Sequence, residues 1–202
     1  MKLYHSPTSP YARKCAVLIR ELGLAPQIEI VQASGSPSNP GSIPVALNPL
    51  GKIPLLERTD GPAIYDSRVI CRYLDHLGQG GLYPEGARLW DVLTLEATAD
   101  GILDAALLIV YEGRLRPAEA RNADWVEGQW SKIARALDVV EGRWMAHLAG
   151  PLDMGQIAIG CALGYLDLRH GDRGWRNARP ALADWFARFS QRPAMAATVP
   201  VA

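Results

Sequence analysis

The sequence predicts a mixed α/β domain followed by an all-helical one. Three observations carry that expectation. Strand-like and helix-like segments alternate up to residue 78. All six tryptophans (Trp90, Trp125, Trp130, Trp144, Trp175, Trp185) and both phenylalanines fall after residue 89. Between the two regions runs Leu77-Gly78-Gln79-Gly80-Gly81-Leu82-Tyr83-Pro84, where glycine and proline sustain neither periodicity. The expected domains are 1–78 and 84–202, in a chain of 202 residues with room for two small cores.

The first region opens with a short strand, Lys2 to Tyr4. A helix follows whose start is marked twice: Ser9 is a good N-cap, and Pro10 fits the first turn, where its missing N–H costs nothing. Tyr11, Cys15, Leu18, Ile19 and Leu22 fall on one helical face, and Gly23 ends the helix. Gln27 to Val31 alternates polar and apolar residues, a second strand. The strand-helix-strand order favours a parallel pair. A proline-rich irregular stretch spans Gln32 to Pro49. Ile53 to Glu57 and Ala63 to Tyr65 then read as a hairpin turned by Asp60-Gly61, and Ser67 to Leu77 as a helix. The order is βαβ-ββα with a mixed sheet.

The second region predicts a long helix from Pro84 to Leu115, stopped before Pro117, and another from Asp124 to Leu148. Asp153 and Gln156 carry a capping-box pattern, with Leu152 and Ile157 placed for a hydrophobic staple. The helix opened there, Met154 to Leu168, holds Gly160 and Gly164 four apart in an apolar run, which points to burial against a close neighbour. A last helix covers Pro180 to Ser190.

Composition narrows the function classes. Lys+Arg and Asp+Glu both number 21, giving a formal net charge of +0 and a pI of 6.9, so no global field attracts nucleic acid or an anionic membrane. A local site for a small anion survives that argument. Mean hydropathy is -0.02, and no apolar run approaches the ~18 residues of a membrane span. The first seven residues lack the apolar core of a signal peptide, so the expected location is cytoplasmic. Cys15, Cys71 and Cys161 are odd in number and far apart, and the four histidines lack ligand spacing. Neither a disulfide framework nor a metal site is expected.

Three segments could carry chemistry. Ser9 places a hydroxyl at a helix N-terminus, beside unpaired N–H groups and the positive end of the helix dipole, where a thiolate would be stabilised. Ser-Pro also starts helices with no catalytic role. In Asn48-Pro49-Leu50-Gly51-Lys52-Ile53-Pro54, Pro54 cannot donate to a sheet ladder and marks an edge, a strand end or a cis bond. A cis bond would leave the Ile53 backbone for an extended peptide ligand, and Lys52 offers a point charge for a carboxylate. The plain alternative is a loop running into a strand with a solvated lysine. At Asp66-Ser67, Ser67 caps a helix and Asp66 adds a carboxylate. The pair suits an amino-acid zwitterion, or simply caps the helix.

The order and spacing of these segments, with the all-helical second region, resemble the glutathione S-transferase family over essentially the whole chain. Ser9-Pro10-Tyr11-Ala12-Arg13-Lys14 is most similar to bacterial serine-type members. The resemblance implies a thioredoxin-like first domain that binds glutathione as co-substrate, without a metal. It implies Ser9 as the catalytic hydroxyl that hydrogen-bonds the glutathione sulfur, and Ile53 before a cis Pro54 as backbone partner of the cysteinyl unit. Lys52 would meet the glycyl carboxylate, and Asp66 with Ser67 the γ-glutamyl end. Asp66 stands where glutamate is commoner, which shortens the reach. Gln156 stands where aspartate is usual.

The resemblance further implies a cytoplasmic, homodimeric detoxification transferase or small peroxidase, with a small hydrophobic electrophile or a peroxide as second substrate. That substrate would face the first helix of the second domain, where Leu103, Leu107 and Tyr111 are spaced for a pocket wall or for core. Asp100 and Asp104, in an otherwise apolar stretch, call for partners. The related glutaredoxins read C-P-Y-C where this chain reads Ser9-Pro10-Tyr11-Ala12, so dithiol exchange at that site is excluded and Cys15 reads as core. The competing readings are a noncatalytic glutathione-binding stress or assembly protein of the same fold, and a glutathione-dependent isomerase.

Overall fold

Strand β1 (Lys2–His5) is the middle of a three-stranded mixed sheet. Helix α1 (Pro10–Glu21) follows it and returns the chain to β2 (Glu29–Gln32), which pairs parallel to β1 with Tyr4 opposite Val31. Strand β3 (Leu55–Glu57) lies antiparallel on the other side, Tyr4 opposite Leu55. The expected mixed sheet and parallel βαβ pair are both present. The computed structural model describes residues 1–201 and divides into two compact units: Met1–Leu89 with the stretch from Pro193, and Trp90–Arg192.

Helix α1 starts and stops as its sequence dictates. Ser9 is the N-cap, its Oγ accepting from the Ala12 N–H at 3.3 Å, and Pro10 opens the first turn. At the other end Gly23 takes φ +66. The Gly23 N–H then reaches the Arg20 carbonyl and the Leu24 N–H the Ile19 carbonyl, the paired bonds of a left-handed glycine cap. Burial extends beyond the predicted apolar face: Arg13 and Lys14 are also buried. In the core, Cys15 Sγ lies 3.8 Å from Cys71 Sγ, consistent with a packing role.

The predicted hairpin is corrected. Its second strand shrinks to one bridge, in which Leu56 and Ile64 exchange both backbone hydrogen bonds at 3.0 and 2.9 Å. In that register Arg58 faces Pro62, which has no N–H to extend the ladder. The Arg58 Nε–H instead donates to the Pro62 carbonyl at 2.8 Å. Helix α2 (Ser67–Gly78) begins three residues past the bridge.

In the second unit, α3 (Arg88–Leu115) starts later than predicted, because Gly86 sits at φ +74 and breaks the helical path upstream. The single helix expected to end at Leu148 is two, α4 (Ala123–Arg143) and α5 (Met145–Leu148), interrupted at Trp144 with ψ near 1°. Helix α6 (Met154–His170) carries the expected capping box and is buried from Met154 to Leu166. A Cβ on Gly155 would stand 2.9 Å from the Leu95 side chain, so glycine permits α3 and α6 to meet there. Helix α7 (Pro180–Phe189) closes this unit. The short α8 (Pro193–Ala196), which the sequence placed with the helical region, packs in the first unit against α1. The Arg13 guanidinium donates to the Met195 carbonyl at 3.2 Å and to Thr198 Oγ1 at 3.5 Å. Among the described residues no helix is long and apolar enough to cross a membrane.

Candidate active site

Strand directions bring the three predicted segments to one end of the sheet. Strand β1 runs toward His5, and the turn Ser6–Thr8 carries the chain to Ser9. Strand β3 runs the opposite way, so Ile53 and Pro54, just before Leu55, lie beyond that same end. The Leu56–Ile64 bridge reverses the chain again and delivers Tyr65, Asp66 and the start of α2 there. Cys15 ties the two helix starts together: its Sγ is 3.8 Å from the Tyr11 carbonyl and 4.0 Å from the Ser67 carbonyl. Two helix N-termini thus converge beside an extended backbone segment, a combination suited to an anionic peptide ligand.

Ser9 is half-buried, and Ser6 holds its turn. The Ser6 carbonyl accepts from the Ser9 N–H at 3.0 Å, and Ser6 Oγ pairs with Thr8 Oγ1 at 3.1 Å. Ser9 Oγ accepts from Ala12 through one lone pair and keeps its own O–H as a donor.

The Ile53–Pro54 peptide is cis, as is Tyr65–Asp66. Ile53 precedes β3, so the sheet ladder does not use its backbone groups. The loop before it is held by Asn48, a buried residue that sequence reasoning passed over. Its Nδ2 donates to the Lys52 carbonyl at 2.7 Å, and its Oδ1 accepts from the Leu50 N–H at 3.1 Å. Gly51, at φ +60, takes the tight corner. The Lys52 side chain is exposed. Asn48→Ala is expected to cost about 1 kcal/mol, because it removes the hydrogen bonds to the partly buried Lys52 carbonyl and Leu50 N–H. A lower melting temperature would register the loosened loop.

The capping roles at α2 are corrected by one residue. Asp66, not Ser67, is the N-cap: Oδ1 accepts from the Arg68 N–H at 3.0 Å, while Oδ2 pairs with the Arg68 guanidinium at 2.9 Å. Ser67 is the first helical residue and is buried. Partial burial pushes the Asp66 carboxyl up. The Arg68 hydrogen bonds and charge outweigh that, with help from Lys14, and hold it below the usual carboxylate range. Arg68 and the buried Lys14 are further site neighbours that the sequence did not single out.

On the helical unit the predicted stripe divides. Leu103 is fully buried and belongs to the core, whereas Leu107 and Tyr111 are half-buried. Asp100 is buried and Asp104 exposed. Burial raises the Tyr111 phenol against the opposing charge of Arg114. It also raises the Tyr165 phenol, against Arg169 and Arg114 and with support from Tyr111. Both phenols stay protonated at neutral pH. Among the described residues no cluster of histidine, cysteine or carboxylates could hold a metal.

Residues 8–77 match the model of the glutathione S-transferase N-terminal domain, and 123–188 that of the C-terminal domain. The uncharacterized GST-like protein YibF of Escherichia coli K12 is 35% identical, with 99% of this chain and 98% of that protein aligned. The chain belongs to the glutathione S-transferase family. Maize glutathione S-transferase 3 is 30% identical over 98% of this chain and 93% of its own length. A glutathione transferase family member from Pseudomonas fluorescens Pf-5, solved with bound glutathione, shares 46% identity and a TM-score of 0.96 over 100% of this chain and 99% of that one. The same Pseudomonas protein has also been solved with S-(propanoic acid)-glutathione, at a TM-score of 0.92 over the full length of both chains. The family's thioredoxin-like first domain and helical second domain are thus both present in this transferase relative.

Proposed function

We propose that this glutathione S-transferase family member binds glutathione at the end of its sheet and uses Ser9 to hold the sulfur as a thiolate. The supporting observation is the Ser9 hydroxyl, fixed at the start of α1 with one lone pair taken by the Ala12 N–H and its O–H retained as a donor. The tripeptide's cysteinyl backbone would pair with Ile53, its glycyl carboxylate with Lys52, and its γ-glutamyl end with Asp66 and Ser67. Donation from Ser9, with the positive end of α1 behind it, lowers the thiol pKa by one to a few units, at roughly 1.4 kcal/mol per unit. Ser9 does not act as a base. The thiolate then attacks an electrophilic carbon and forms a carbon–sulfur bond. A halide departs, or the electrons move onto a conjugated carbonyl whose α-carbon is then protonated.

The conjugate bound by the Pseudomonas relative supports a small electrophilic acid as one class of acceptor. Family habit supports a homodimer, which sedimentation at micromolar concentration would show. The deciding experiment is glutathione conjugation measured with an aromatic halide and with acrylate, alongside calorimetric glutathione binding. Turnover with either acceptor supports the transferase. Tight glutathione binding without acceleration of either points to the noncatalytic reading.

Asp66→Asn separates charge from capping. Asparagine caps a helix about as well as aspartate, so α2 should persist and the melting temperature change little. Loss of the carboxylate should weaken glutathione binding about tenfold if its ammonium is held there. In the wild type the depressed carboxyl stays ionised throughout the neutral range. Its cap and ion pair stabilise fully above the unfolded value near ~3.9, and that contribution fades as pH falls through the lower folded value. Glutathione affinity should therefore be insensitive to Asp66 between about pH 5 and 8. Binding titrations across that range check the expectation.

A further inference from the structure

A second enclosure lies in the first unit, on the side of α1 that faces the C-terminal stretch. It is a cavity of about 140 Å³ lined by His5 and Pro7 at the end of β1, Arg13, Ala16 and Arg20 on α1, Ile30 on β2, and the segment Ala197–Val199. None of the residues proposed to hold glutathione lines it. Two buried polar atoms in its lining residues, His5 Nδ1 and Arg13 Nη1, have no hydrogen-bond partner among the described residues. Arg13 is only 4% exposed. Its Nε and Nη2 are spent on Thr198 and Met195, which leaves Nη1 as an unused donor on a buried cation. Arg20 adds a second guanidinium, of which Nη1 donates to the Ala16 carbonyl at 3.1 Å. No carboxylate stands among the lining residues.

A buried guanidinium with an idle N–H is costly, and the usual remedy is an anionic acceptor. Water could serve one N–H but would leave the positive charge of the buried Arg13 uncompensated. Apart from Thr198, the remaining wall is apolar: Pro7, Ala16, Ile30, Ala197 and Val199. A fully polar anion such as phosphate would set oxygens against those side chains. A short-chain carboxylate matches both halves, its oxygens on Arg13 Nη1 and Arg20 and its alkyl end on the apolar wall. His5 strengthens the match. Burial first, and the Arg20 charge second, lower its pKa, so at neutral pH the ring is uncharged and can place an N–H on Nδ1.

We infer that this cavity is a binding site for a small monocarboxylate, built from His5, Arg13 and Arg20 and closed by the C-terminal stretch. The site is coupled by position to the active site. Pro7 forms part of its wall and lies within the turn that holds Ser9 through Ser6. An occupant would bridge β1, α1 and the chain from Ala197 to Val199, and so steady that turn.

The test uses the full chain, saturated with S-methylglutathione so that the proposed glutathione site is filled. Propionate, propionamide and inorganic phosphate are titrated separately in a carboxylate-free buffer, and the His5 ring and Thr198 amide resonances are followed by NMR. Saturable shifts at both residues with propionate, absent with propionamide, are expected. Arg20 is exposed, so Arg20→Gln should fold normally and weaken propionate about tenfold. The exposed Ala197, replaced in Ala197→Trp, should fill the cavity and abolish the response. Equal shifts with propionamide would show that charge is not recognised and overturn the proposal. So would stronger binding of phosphate than of propionate, an unchanged response in both variants, or no saturation at all.

Discussion

Replacing Ser9 by alanine should raise the pH at which glutathione conjugation appears by one or more units and cut kcat/KM at neutral pH by roughly tenfold per unit. The substitution acts twice, because the same oxygen caps α1 by accepting from Ala12 at 3.3 Å. Loss of a serine cap alone costs about 1 kcal/mol, enough to shift a melting curve and to disturb a site built on that helix end. Ser9→Asn separates the two effects. Asparagine restores a cap acceptor but presents an amide where the hydroxyl proton would be, so stability should return while the pH profile stays displaced. Ser9→Thr keeps both functions and should recover most activity. If alanine leaves the pH profile in place while the melting temperature falls, Ser9 is a structural cap only, and the helix N-terminus alone holds the thiolate.

What the sequence could and could not reveal follows from how local each determinant is. The Ser9-Pro10 start, the Gly23 stop and the Asp153–Gln156 box are each decided within a few residues, and all three are present. The hairpin was half legible: Asp60-Gly61 marks the turn, but Pro62 opposite Arg58 limits the second strand to Ile64. At Asp66-Ser67 either residue is a good cap, so propensity cannot choose between them. The Leu56–Ile64 bridge fixes where the chain leaves the sheet, and Asp66 then falls at the helix boundary. Burial of Arg13 and Lys14 was invisible, because their spacing on α1 reads as a solvated face. Arg13 is covered by residues 182 and 185 positions away, and no local signal in the chain after Pro193 announces that return. Asn48 was missed for a different reason: asparagine before proline reads as a turn former whether or not its side chain organises the loop around it.

In the helical unit Asp153→Ala should cause a large loss of stability. The carboxylate does two jobs while almost wholly buried. Oδ1 accepts from the Gln156 N–H at 3.2 Å, completing the N-terminus of a helix buried along most of its length. Oδ2 lies 2.7 Å from His147 Nε2, a contact in which the ring nitrogen can serve as the donor. The Asp153 N–H is in turn held by Gln156 Oε1, and the Gln156 amide reaches the carbonyls of His147, Leu148 and Gly150 at 3.2 Å each. Alanine removes the cap, worth about 1–2 kcal/mol, and leaves the His147 N–H without its acceptor at a further ~1–3 kcal/mol. A total near ~3 kcal/mol predicts a melting temperature lower by about 6–12 °C for a chain of this size. Asp153→Asn discriminates between lost capping and lost charge. Its carbonyl can still cap Gln156, and its amide can donate to His147 Nε2 once the ring proton moves to Nδ1, so at least half of the loss should be recovered. A melting temperature unchanged in Asp153→Ala would mean that neighbouring carbonyls and water replace the box. Against that outcome, the Gln156 amide is already shared among the carbonyls of His147, Leu148 and Gly150.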